Sequence, residues 1–542
     1  MPSFLPDWRE LSLAEQVAQM VVVRASGYLF DDQIQYPDWE PANATLMHWL
    51  RDLKVGGVIL LGGSAAELAV RSHQLRSWAT LPLLVAADIE EGVGQRFSGA
   101  TWFPPPMAIA EWARRDLDQA VLYAEKMGAI TAQEALAIGV NWILAPVVDV
   151  NNNPLNPVIN VRAFGDTPDS VSQLATAFIR GTQPYPVLTS AKHFPGHGDT
   201  AIDSHLDLPV LPHDSARLAE IELPPFKAAI ATGVDSVMSA HVHIPALDST
   251  YPATLSPTIL TRVLRQELGF GGLIVTDALV MGAIANHYGA NDAPVMAVEA
   301  GADILLMPLD PEGTIRAVCR AVESGRIAIE RIHASIERIW TAKQHLYGKQ
   351  DGEQYLSSPR EASSPTTSRN TVMHLDHLSQ PHATDAAAQI LRHSMQGQVD
   401  QPLASVESGR NVIVVDDVLD CDFLGHHTPA IALPKHYGYH QLQLIDCHTP
   451  HLPSHYHSDT PVPTLLQLFV RGNPFRGSAG LTHIADEWLI FLMQTQQLSG
   501  LVIYGSPYVL EHLRPSIPPQ IPWVFTYGQM PHAQQIALSV MV

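Results

Sequence analysis

Short apolar runs, many of them β-branched, punctuate the first part of the chain. They stand at Met20–Val23, Gly57–Leu61, Leu83–Ala87, Trp142–Val147, Val187–Ala191, Ser236–Ala240, Leu273–Thr276 and Ile304–Met307. Between them lie longer stretches with helical apolar spacing, such as Asp116–Ile138, Ser215–Thr232 and Thr261–Leu268. A strand that is apolar at every position is covered on both faces, and strands alternating with helices are joined in parallel. Eight such units predict a (β/α)8 barrel with insertions. An open, doubly wound sheet is the alternative that periodicity does not separate from it.

The texture changes after the helical stretch Ile327–Tyr347. Lys349–Thr384 is rich in Ser, Pro, Thr and Gln and carries no apolar period, which reads as a linker. From Asp385 a second α/β pattern begins, with a helix expected over Ala386–Met395. Strands are expected at Val412–Val415, Leu442–Ile445, Leu465–Val470, Leu501–Tyr504 and Trp523–Thr526. The expected organisation is a TIM-like barrel over residues 1–348, a linker over 349–384 and a smaller α/β sandwich over 385–542.

Composition narrows the function classes. A net charge of −22 over 542 residues leaves no basic surplus for nucleic acid or for an anionic membrane surface. Cys319, Cys421 and Cys447 are scattered, with neither a disulfide framework nor a Cys-x-x-Cys zinc spacing. The start, Met-Pro-Ser-Phe-Leu-Pro-Asp-Trp-Arg-Glu, lacks a basic patch before an apolar core, and no apolar run approaches the ~20 residues of a bilayer span. A cytoplasmic protein without cofactor or metal is therefore expected. The His-rich patch His451–His457 has Pro, Ser and Tyr neighbours and no periodic ligand spacing, so it reads as a polar surface loop.

Chemistry gathers where the apolar runs end. Asp88 follows Leu83–Ala87, Arg162 lies in the loop after Trp142–Val147, Lys192 and His193 follow Val187–Ala191, His241 follows Ser236–Ala240, and Asp277 follows Leu273–Thr276. In a parallel barrel those ends share one face. The densest stretch is Lys192–Pro209, with His193, His197, His205, Asp199, Asp203 and Asp207 around Pro195, Gly196 and Gly198. Each residue also has a plainer reading. Asp88 can cap a strand end, Asp277 can cap a helix, Arg162 can fix its loop by a salt bridge, and His241 can line a pocket or satisfy a core hydrogen bond. A zinc site on His193 and His197 fails because Pro195 and Gly196 break the helix that would align them. A phosphate loop fails for want of a Gly-Lys-Ser/Thr ending.

The stretch Lys-His-Phe-Pro-Gly-His-Gly, then Asp-Ser-His, then Pro, resembles the signature of bacterial β-N-acetylglucosaminidases of glycoside hydrolase family 3. Leu-Ile-Val-Thr-Asp-Ala-Leu-Val-Met around Asp277 resembles the family's nucleophile strand, with Ala278 where a second Asp is often found. Asn-Pro-Val-Ile-Asn-Val-Arg-Ala-Phe-Gly around Arg162 is similar to the family's Asn-Pro-Val-Ile-Gly-x-Arg-Ser-Phe-Gly. Asp-Ile-Glu-Glu-Gly-Val-Gly-Gln-Arg-Phe keeps Asp88, Glu90, Gly92, Arg96 and Phe97 of the family pattern and departs at Ile89, Glu91, Val93 and Gly94.

The resemblance implies a retaining exo-β-N-acetylglucosaminidase. Asp277 is the implied nucleophile, His205 the acid/base and Asp203 its orienting partner. Asp88, Arg96, Arg162, Lys192 and His193 are the implied substrate-binding residues. The expected partner is a small glycoside or muropeptide, with no nucleic acid, membrane or obligate protein partner. Alternatives are a family β-glucosidase or other exo-β-glycosidase, an N-acetylglucosaminide phosphorylase, or an inactive carbohydrate-binding protein. The last would lack nucleophile or acid, and both Asp277 and His205 are present.

Overall fold

The computed structural model describes residues 5–201, 207–348, 374–449, 461–471 and 479–542, with backbone alone over 479–482. The first eight strands are β1 (Val21–Ser26), β2 (Gly57–Leu61), β3 (Leu84–Ala87), β4 (Trp142–Ile143), β5 (Leu188–Phe194), β6 (Ser236–Ser239), β7 (Leu273–Val275) and β8 (Leu305–Leu306). They pair in parallel in the order β7-β6-β5-β4-β3-β2-β1-β8. A bridge between Val275 and Ile304 joins the two ends, so the sheet closes on itself. The barrel prevails over the open sheet.

Apolar runs became strands because both faces are covered. Every residue of β3, β5, β6 and β7 is buried. Helices such as Leu117–Ala137 and Pro168–Thr182 pack outside, and Asp116 and Thr167 cap their first turns by accepting from Gln119 and Ser170 N–H. β4 and β5 depart from their expected ends in ways that shape the site. β4 is short because Pro146 has no N–H for the ladder, although Val147 still bridges to Lys192. β5 runs past Ala191 to Phe194, which places Lys192 and His193 in the strand rather than in the loop after it. Its register with β6 shifts between Lys192 and Phe194, leaving His193 as the extra residue of a bulge. Bulges of this kind re-aim a side chain.

The second domain is a six-stranded sheet in the order β11-β10-β12-β13-β14-β9. Its strands are β9 (Gln396–Gln398), β10 (Arg410–Val414), β11 (Gln441–Ile445), β12 (Thr464–Val470), β13 (Leu498–Gly505) and β14 (Trp523–Thr526). All are parallel except the edge strand β9, whose Gln-Gly-Gln gives no apolar signal. Helices including Pro381–Ser394, Pro429–Lys435, Ala479–Gln494 and Pro531–Met541 complete the sandwich.

The helix Pro381–Ser394 begins within the stretch that reads as linker. Tertiary contacts order this part. Ser379 N–H donates to Glu134 Oε1 at 2.7 Å, and the His393 ring stacks on Trp112 at 4.3 Å. Among the described residues no helix is long and apolar enough to cross a membrane.

Candidate active site

The carboxyl ends of the barrel strands carry a connected set of buried charges. Lys192 Nζ, at the end of β5, lies 2.7 Å from Asp88 Oδ1 and 2.6 Å from Glu90 Oε1, both just beyond β3. Arg162, on a single helical turn in the loop after β4, grips Glu90 with Nε to Oε2 at 2.8 Å and Nη2 to Oε1 at 2.7 Å. This two-pronged geometry is what a planar guanidinium offers a carboxylate. Burial alone would raise the Glu90 carboxyl, but the Arg162 and Lys192 cations outweigh it and hold it well below the usual range. Burial also opposes a charged Lys192. Asp88 and Glu90 prevail there and raise the ammonium above the ordinary lysine value. Arg96 donates from Nε to the Asp88 carbonyl at 3.1 Å.

A second knot holds the loop that leaves β5. Asp149, fully buried, accepts from His193 Nδ1 at 2.8 Å, from His193 N–H at 3.1 Å and from His197 N–H at 2.7 Å. A carboxylate can only accept, so Nδ1 carries the proton of His193. Burial works against ionised Asp149, yet His193 and His197 keep it below the usual carboxylate value. His197 is itself buried, and that burial pushes its imidazole down to about 4. It is neutral at physiological pH.

Asp277 sits directly past β7, and the following helix begins only at Gly282. It is therefore not a helix cap. One carboxylate oxygen accepts from the Ala278 N–H at 2.8 Å. His241 is buried and reaches the same turn: its Nε2 donates to the Ala278 carbonyl at 3.0 Å, while Nδ1 meets Thr254 Oγ1 at 2.8 Å. Of its two plain readings, the core hydrogen bond is the one realised.

Asp88, Arg96, Arg162, Lys192, His193 and Asp277 all line one cavity of about 580 Å³. His197 lines it too. Asp203 and His205 lie outside the described residues. The salt-bridge reading of Arg162 is realised in its pair with Glu90, and the same guanidinium lines the cavity.

Sequence reasoning passed over four members of this neighbourhood. Glu90 stands in a matched pattern that implies no role for it, Asp149 belongs to no motif, and Glu91 is a departure from the family pattern. The structure explains that departure: Glu91 is buried and pairs with Arg471, the residue after β12 of the second domain, while Trp102 Nε1 donates to it at 3.1 Å. Arg471 lines the cavity, so the second domain supplies part of its wall. Ser506 Oγ donating to Asn160 at 3.0 Å and Asn151 Nδ2 donating to Tyr508 at 2.8 Å tie the domains together beside it. No local signal marked Arg471, since its partner is 380 residues away.

The model of the glycosyl hydrolase family 3 N-terminal domain matches residues 12–342, and that of the bacterial family 3 C-terminal domain matches residues 403–542. A β-hexosaminidase A of Pseudoalteromonas piscicida is 33% identical over 371 residues, 62% of each chain. A β-N-acetylglucosaminidase/β-glucosidase of Cellulomonas fimi is 31% identical over 306 residues, 55% of this chain and 53% of the relative. The chain thus spans less than two thirds of the length of either curated relative. The structure of a family 3 β-N-acetylglucosaminidase from Paenibacillus sp. str. FPU-7 aligns with a TM-score of 0.74 at 30% identity, covering 98% of this chain and 96% of that one.

Proposed function

Because the chain belongs to glycosyl hydrolase family 3, we propose that it is a retaining exo-β-N-acetylglucosaminidase acting on terminal N-acetylglucosamine. The observation that carries this reading is that Asp277 shares one cavity with the Asp88, Arg162, Lys192 and His193 cluster. Such a cavity offers acceptors and charged donors to the hydroxyls of one sugar while a carboxylate faces its anomeric carbon. The names of the relatives, one solved structure among them, support the acetamido sugar.

In the first half-reaction Asp277 attacks the anomeric carbon as the bond to the aglycone breaks. The His205 imidazolium gives its proton to the departing oxygen. In the second half, neutral His205 takes a proton from water, which attacks the same carbon and releases Asp277. Asp203 orients the ring and favours its charged form. An imidazole suits both steps, since its reference pKa of ~6.5 lies near neutrality. Asp88 and Lys192, held together by their ion pair, bind the sugar hydroxyls, and Arg162 keeps Glu90 and Lys192 in register. Cell-wall fragments in the cytoplasm are the proposed source of substrate, with domains divided at 348 and 385.

The test compares aryl β-glycosides of N-acetylglucosamine and glucose, with and without phosphate. Asp277→Ala is expected to lose ~10³-fold or more in kcat on the acetamido sugar, and His205→Ala ~10²-fold or more. A preference for glucose with His205→Ala unharmed overturns the dyad. It would favour the second reading, a β-glucosidase, which the mixed name of the Cellulomonas fimi relative supports. Products appearing as the sugar phosphate would identify a phosphorylase.

A further inference from the structure

Away from the cavity, the carboxyl ends of β10 and β11 bring together three side chains of different donor type. Asp417 lies in the turn after β10, and Cys447 and His448 in the turn after β11. Their donor atoms all lie within 4.8 Å of one another. His448 Nε2 is 3.0 Å from Asp417 Oδ2, and Cys447 Sγ is 3.7 Å from the same oxygen. From this geometry we propose that Asp417, Cys447 and His448 bind a transition-metal dication of the zinc type.

The two distances to Asp417 Oδ2 fit such an ion. Tetrahedral zinc with bonds of ~2.0 Å to N or O and ~2.3 Å to S sets its N and O ligands ~3.3 Å apart and its O and S ligands ~3.5 Å apart. The chain holds the donors near those spacings through a shared partner. Asp446 Oδ2 accepts from Val418 N–H at 3.2 Å, on the turn that carries Asp417. Its Oδ1 accepts from His448 N–H at 3.0 Å and from Thr449 N–H at 2.8 Å, on the turn that carries the other two ligands. One carboxylate thus ties both ligand-bearing turns, as supporting groups around metal ligands do. Asp417 is almost fully buried while Cys447 and His448 are exposed, so the ion would reach the site from solvent. A thiolate, an imidazole and a carboxylate together suit zinc-type ions better than magnesium or calcium. A fourth donor, water or protein, completes the shell.

The site lies on a turn that leads towards the cavity wall. The turn continues from Asp417 to Phe423, whose ring meets Trp102 of the cavity edge-on at 6.4 Å and stacks on Phe469 of β12 at 5.5 Å. A bound ion clips the start of that turn to β11. Among the described residues the other candidate cluster, His374, Asp376 and His377, comes from one short turn and joins no separate elements.

The test titrates the chelator-treated 542-residue chain with Co²⁺ and follows absorbance. One equivalent should bind with a thiolate-to-cobalt charge-transfer band, and Zn²⁺ should displace it. Zn²⁺ should also raise the melting temperature, because an ion that binds only the folded state stabilises it. Cys447→Ser and His448→Gln change exposed residues, so both should fold and keep glycosidase activity. Cys447→Ser should abolish the band, and each variant should weaken binding at least ~10-fold. Absence of the band in the parent chain overturns the proposal. So does a cobalt affinity unchanged in both variants, which would place the metal elsewhere, for instance at His374 and His377.

Discussion

The two ends of the barrel each bury a carboxylate among cations, and they use it differently. At the amino-terminal end, Asp303 is fully buried just before β8. It takes Arg265 at 2.6 Å, Arg331 at 3.0 Å and Arg338 at 3.1 Å, with Ser335 Oγ donating at 2.7 Å and Ile274 N–H at 3.0 Å. Its acceptor capacity is spent inside the protein. At the carboxyl end, Glu90 takes Arg162 and Lys192, but the chain of charges continues to Asp88, whose side chain is 35% exposed in the cavity wall. Buried ion pairs are costly to desolvate and strongly destabilising to break. The same interaction therefore makes a lock where every partner is internal, and leaves groups open to a ligand where the network ends in a cavity wall.

Breaking the lock should have the largest effect. Asp303→Asn leaves three arginines facing a neutral amide and should lower stability by about 3–5 kcal/mol in a denaturant titration, with the activity of the remaining folded enzyme unchanged. Loss of kcat at constant stability would show that the two ends are not separable.

Glu90→Gln comes next, with the opposite signature. Arg162 and Lys192 lose their shared anion and their alignment, and kcat/KM on the aryl acetamido sugar should fall ~10²-fold. If stability falls as far as in Asp303→Asn while kcat/KM holds, Glu90 belongs with the lock.

Arg471→Ala sharpens the comparison across the domains. The Glu91 carboxylate keeps Trp102 but loses its cation, and KM should rise about tenfold with kcat within a few-fold. An unchanged KM would remove the second domain from substrate binding.

The smallest expected effect is on pH dependence. The folded state holds His197 at about 4 rather than 6.5, so the unfolded chain takes up a proton that the folded one refuses between those values. Stability should fall as pH drops from about 6.5 to about 4 and lose nothing further through this group below that. Glu90, held well below its reference 4.5, contributes stability that is present above about 4.5 and is lost as pH falls through its folded value. Thermal unfolding followed against pH should show both segments, and His197→Gln should flatten only the upper one.

Much of this was legible in the order of residues. Eight apolar runs became the eight strands of the barrel because burial on both faces demands apolar side chains at every position, and that demand is local. Asp88 and Asp277 could be set past their strands for the same reason, since a polar residue after a buried run marks where the strand ends. Lys192 and His193, by contrast, lie inside the buried strand β5 and escaped that rule. Less local features escaped. The polar edge strand β9 takes its form from pairing with β14, and the bulge at His193 comes from the register between β5 and β6. The helix that starts at Pro381 owes its place to docking on Glu134 and Trp112.

What the sequence determined by itself is the alternation of buried strands with helices and the kinds of group that crowd their ends, because backbone hydrogen bonding and solvent exclusion act over neighbouring residues. Only the tertiary structure decided which charges meet. Glu91 finds Arg471 across two domains, Asp149 ties His193 to His197, and Asp417 comes beside Cys447 and His448. Coulomb and coordination energies depend on separations of a few ångströms in space, and distance along the chain carries no information about those.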